Sequence, residues 1–146
     1  MIKLLKVPFR KQELKYSCQP SAIRMILNFY GDDIDEKKLY EKSVLSGYPG
    51  TFDATLFPFL LNKGYDLIVY WDGSIDGWNL NKKTIDAYNK EYAKAIKLGF
   101  QHKHNANLHL IKKFIDKKIP VIAEISVSKF YGTKTNMTHV IVFTRG

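Results

Sequence analysis

Gln12-Glu13-Leu14-Lys15-Tyr16-Ser17-Cys18-Gln19-Pro20-Ser21-Ala22-Ile23-Arg24-Met25-Ile26-Leu27-Asn28-Phe29-Tyr30-Gly31 is the stretch on which the fold reading turns. Proline suits a first helical turn, where its missing N–H costs nothing, and Gly31 is a natural stop. Apolar side chains at 22, 23, 26, 27 and 30 keep the helical period, so residues 20–30 read as a helix with one buried stripe. Cys18 then lies at the amino end of that helix, where N–H groups and the helix dipole favour an anion and can make a thiol more acidic. A thiolate is the nucleophile that acyl transfer needs. Cys18 is the only cysteine, which excludes an internal disulfide and a multi-thiolate zinc site. Two readings remain for it, a packing thiol or a reactive one.

Two other residues bear on that choice. Gln12 stands six positions upstream. Its amide, held beside the Cys18 backbone N–H, would form a two-donor oxyanion hole, each donor worth roughly 2.7–4 kcal/mol when aimed at the developing charge. His139 opens the late apolar strand His139-Val140-Ile141-Val142-Phe143. A histidine at a strand mouth can face the helix end, take up the thiol proton and return it to a leaving group.

Outward from these residues, 2–7 read as a short strand or extended arm ending at Pro8. Asp35 can cap a helix through about Ser43, with Leu39 and Tyr40 inward. Ser46 to Gly50 is a loop, and Thr51 or Asp53 opens a third helix that stops at Gly64. Residues 67–71 form a strand, 72–81 a surface loop, and 83–98 a largely polar helix. Asn107 caps a fifth helix, ended by Pro120; strands follow at 121–125 and 139–143, separated by a loop over 128–136. Helices come first and strands gather at the end. That order predicts an α+β fold with an antiparallel sheet rather than alternating βαβ units.

A chain of 146 residues, 45% apolar, fits one domain with a real core. No apolar run approaches the roughly 20 residues needed to cross a bilayer. The first residues are too short and too interrupted by lysine for a secretory signal, so a cytoplasmic protein is expected. The net charge of +9 invites a nucleic-acid reading, yet only three of the 23 basic residues are arginine. The lysines are interleaved with acids, as in Asp35-Glu36-Lys37-Lys38, which describes a solvated surface rather than a specific nucleic-acid face. His102, His104 and His109 have no metal-ligand spacing and read as a polar loop before a helix, so no metal and no cofactor is expected. Trp71 and Trp78 flank Asp72 to Gly77, either as an aromatic rim for a peptide substrate or as one core and one exposed tryptophan.

Val7-Pro8, Gln12, Cys18 at a helix start, the apolar helix ending Tyr30-Gly31, and Pro120-Val121-Ile122 before the His139 strand together resemble the double-glycine leader peptidases of bacteriocin exporters. The wider group is the papain-like cysteine peptidases. The resemblance is strongest over 7–31 and 119–143, and residues 72–106 match nothing specific. It implies a single papain-like domain over 1–146, with amino-terminal helices packed on a carboxy-terminal antiparallel sheet. It also implies Cys18 as nucleophile, His139 as base and Gln12 as oxyanion donor, acting on a peptide or isopeptide bond. The alternative is a catalytically degenerate relative that binds a peptide or partner protein.

Two departures qualify that likeness. The family usually has glycine directly after the cysteine. Here Gln19 follows, and its side chain would narrow the cleft, which makes Gln19 a candidate substrate contact. The family's third member is an Asp or Asn on a strand after the histidine, whereas this sequence ends seven residues past His139. The expectation is a chain truncated at the carboxyl end or a degenerate site. A missing strand would leave a sheet edge open to self-association.

Overall fold

Helix α1 (Cys18–Phe29) begins on the cysteine itself, two residues before the proline that suits a first turn. The computed structural model describes residues 5–45, 48, 50–132, 134 and 138–144. The described chain is a mixed helix-and-sheet structure that divides into two compact units, Met1–Lys38 with Asn107–Gly146, and Leu39–Ala106. Their boundary falls within α2 (Glu36–Ser43).

The first unit carries α1, α5 (Leu108–Asp116), β3 (Val121–Ser126), α6 (Val127–Tyr131) and β4 (Thr138–Phe143). β3 and β4 pair antiparallel from Val121↔Phe143 to Ser126↔Thr138, the antiparallel pairing expected of the two late strands. Helix α1 packs on β4, while α5 and α6 pack on β3. The inward stripe of α1 is Ala22, Ile23 and Leu27, all buried, joined by Ile115 of α5 among the buried residues. Tyr30, expected on that stripe, is 49% exposed, because the helix ends at Phe29 and the helical period ends with it. The expected amino-terminal strand has no counterpart over residues 5–7, although the Leu5 N–H donates to Thr144 O at 2.7 Å; residues 1–4 lie outside those described. The loop at 46–50 and the end of the one at 128–136 fall partly outside as well.

The second unit contains α3 (Asp53–Asn62), β1 (Ile68–Tyr70), a 3-10 turn (Ile75–Trp78), α4 (Lys82–Lys97) and β2 (Gln101–Lys103). Its core joins Phe52, Ala54, Phe57, Ile75, Tyr88, Ala95 and Phe100. Phe57 stacks on Phe100 with centroids 4.7 Å apart, and Tyr88 meets Phe52 edge-on at 5.7 Å. α3 and α4 pack together over this core. β1 and β2 run parallel, in register Ile68↔Gln101 to Tyr70↔Lys103, with α4 as the crossover between them. The sequence pattern does not predict this one βαβ unit, although the described chain keeps the expected α+β class. Gln101-His102-Lys103 has neither apolar residues nor alternation to mark a strand, and only pairing with β1, far away in sequence, makes it one. The 3-10 turn and α6 likewise lie in segments that read as loop.

Candidate active site

Cys18 is partly exposed at the first position of α1. The residue before it, Ser17, is the N-cap, yet its side chain does not cap the helix. The hydroxyl turns instead to Leu14 O (2.7 Å) and to the Glu36 carboxylate. Glu36 has no exposed surface and also accepts from the Glu13 N–H, at 3.0 and 3.1 Å to its two oxygens, and from the Leu14 N–H at 3.2 Å. A buried carboxylate is tolerable when its lone pairs are filled this way. The same loop is tied to α1 by Arg24 Nη1, 2.6 Å from Glu13 Oε1. The bond to Glu13 raises the Arg24 pKa, and Glu13, Asp33 and Asp35 add charge attraction against the opposing effect of burial. Tyr16 sits at φ 60°, a left-handed conformation uncommon for a bulky residue, in the turn that delivers Ser17 and Cys18.

Sequence reading missed this support, because Glu36 in Asp35-Glu36-Lys37-Lys38 reads as solvated. Its three neighbours are exposed, as expected, while Glu36 is fully buried. The available signal was an acid opening a helix, where the dipole favours it. Nothing local aims it at residues 13–17.

His139 is the second residue of β4, exposed and opposite Ile125. Since α1 packs on β4, the elements bearing Cys18 and His139 meet within one unit. Among the described residues no hydrogen bond joins the two side chains. Gln12 is exposed and its Nε2 donates to Leu14 O at 2.7 Å, folding the amide back on its own loop and leaving one N–H for another acceptor. It lines a shallow hollow with Phe9, Arg10, Lys11 and Glu13. Gln19, in the first turn of α1, is partly buried.

Trp71 belongs to the other unit, just after β1. It packs against the aromatic core, with its ring 6.2 Å from His102 and 6.4 Å from Trp78, which is itself 42% exposed. Trp71, Asp76, Tyr88, Asn89, Tyr92 and His102 line a cleft there. His102 is on β2, not in a loop, and both ring nitrogens are engaged: Nε2 with Trp71 O at 2.8 Å, Nδ1 with the Tyr92 hydroxyl. A carbonyl can only accept, so Nε2 carries a proton, and in the neutral ring Nδ1 accepts from Tyr92. Burial, with a contribution from Asp53, pushes the Tyr92 phenol up and keeps it protonated as that donor. His104 Nδ1 lies 3.5 Å from Asp72, whose carboxylate accepts the Asn105 and Ala106 N–H groups. Those two bonds, foremost, hold Asp72 below the usual carboxylate range, with His104 adding to the effect. His109 is exposed on α5.

Among the described residues no three His, Cys, Asp or Glu side chains gather as a metal site, and no helix is long and apolar enough to cross a membrane. A family model described as the Peptidase_C39 like family matches residues 4–144. No match is found among curated proteins or among solved structures.

Proposed function

This chain belongs to the Peptidase_C39 like family, and on that premise we propose that it is a cysteine hydrolase cleaving a peptide or isopeptide bond, built as one papain-like domain. The observation that carries the reading is the packing of α1, headed by Cys18, on β4, which bears His139 at its second position. Cys18 attacks the scissile carbonyl carbon as His139 takes its proton, and the tetrahedral oxygen is held by the Cys18 N–H and the free N–H of Gln12. His139 then protonates the leaving amine, and water releases the acyl group by the same route in reverse. Gln19, beside the nucleophile, is a substrate contact of this reading. The lack of a Cys18–His139 hydrogen bond among the described residues is compatible with a free enzyme, since such pairs often tighten only around substrate.

A second reading, a degenerate domain that binds a peptide without cleaving it, draws on the lack of a Cys18–His139 hydrogen bond among the described residues. Iodoacetamide alkylation across pH separates the two. The hydrolase reading expects Cys18 to label well below about pH 8.5, where an ordinary thiol is half ionised, and His139→Ala to remove that advantage. Labelling that follows a free cysteine in both proteins leaves only the binding domain.

A further inference from the structure

The buried Glu36 carboxylate gathers its hydrogen bonds from one short loop. All its partners are neutral donors, and among the described residues it makes no ion pair. Every one of them lies in the five residues directly before Cys18. An acid buried without a cation is costly, and an apolar residue would pack an ordinary helix start at less expense. Its most specific effect is on Ser17. A serine at an N-cap normally accepts a hydrogen bond from the second or third residue of its helix. Here the third is Pro20, which has no N–H, so Gln19 is the available partner. The Ser21 N–H already donates to Ser17 O at 2.9 Å. With the Ser17 hydroxyl drawn to Glu36 and Leu14 O, the N–H groups of Cys18 and Gln19 have no acceptor among the described residues.

We propose that Glu36 is a positioning residue for the nucleophile. It holds Glu13 to Ser17 and keeps the Ser17 hydroxyl off the helix end, so that the Cys18 and Gln19 N–H groups stay open to a developing oxyanion. Glu36 touches no substrate and acts through Ser17. The inference rests on Cys18 being the nucleophile.

The test compares two probes on the full chain. Iodoacetamide reads the thiol alone. A set of tripeptide aldehydes reads the oxyanion donors: the Cys18 sulfur bonds to the aldehyde carbon, the thiol proton passes to the carbonyl oxygen, and that oxygen sits where an oxyanion would. Glu36→Gln is expected to weaken aldehyde binding about tenfold to hundredfold while the iodoacetamide rate stays within a factor of two or so. Adding Ser17→Ala to Glu36→Gln is expected to recover most of the loss, since no hydroxyl remains to cap the helix. A purely structural role would weaken both probes together and gain nothing from the second substitution; that result overturns the proposal. Thermal melts screen the variants for folding, and Glu36→Asp, which keeps the charge one methylene further back, is the milder second variant held to the same criteria. If the wild-type chain binds no aldehyde and His139→Ala leaves its iodoacetamide profile unchanged, the nucleophile reading fails and takes the Glu36 role with it.

Discussion

Ser17→Ala isolates one oxygen atom whose contribution can be worked from the structure. Ser17 is fully buried, with its hydroxyl shared between Leu14 O at 2.7 Å and Glu36. If it capped α1, its loss would cost about 1 kcal/mol, as for an ordinary serine cap. A hydrogen bond to a buried charge contributes about 1.5–3 kcal/mol, and Glu36 would keep only the Glu13 and Leu14 N–H donors. The expected loss is therefore about 2–3 kcal/mol, read from the shift in urea midpoint at constant slope. The decisive measurement is a double-mutant cycle with Glu36→Gln. In that background the hydroxyl keeps only neutral partners, Leu14 O among them, so Ser17→Ala should cost about 1 kcal/mol. A coupling below about 0.5 kcal/mol, the usual scatter of independent sites, would refute the reasoning and return Ser17 to the role of a simple cap.

Phe52→Ala should cost about 3–5 kcal/mol, because Phe52 is 1% exposed and its ring meets Tyr48, Trp78 and Tyr88 at 4.7, 6.1 and 5.7 Å. Urea unfolding followed by tryptophan fluorescence measures it, and a loss under 1 kcal/mol or so would mean that the aromatic core repacks freely. Tyr92→Phe leaves His102 Nδ1 without its donor and is expected to cost about 1–2 kcal/mol by the same assay. Asp72 titrates below the ordinary aspartate range in the folded chain, so its stabilisation is complete above that range and disappears as pH falls through the lower folded value. Asp72→Asn should therefore flatten the loss of stability below about pH 4 while changing the neutral-pH slope little; an unaltered acid limb contradicts the assignment.

Much of α1 was legible because its cues are local: an apolar period of 3.6, a proline in the first turn and glycine after the end. The cysteine's place at the helix start follows from those cues alone. The strands over 121–125 and 139–143 were legible for the same reason, as short apolar runs bounded by turn residues. Gln101 to Lys103 was not, because its strand character comes from backbone pairing with Ile68 to Tyr70 across a helix. His102, read as a loop residue, became a half-buried link between Tyr92 and the Trp71 carbonyl through that same pairing.

At the site the division is sharper. Sequence by itself determined the candidate nucleophile, the candidate base and the helix and strand that carry them, since each depends on neighbours within a few residues. Only the tertiary structure decided that those two elements pack together, and that Glu36, indistinguishable in sequence from the exposed charges around it, is the buried anchor of the loop before Cys18. The reason is physical. Periodicity records which face of an element is apolar, whereas the burial of a single charged side chain is set by donors that arrive from 19 to 23 residues away, and those meet only when the chain has folded.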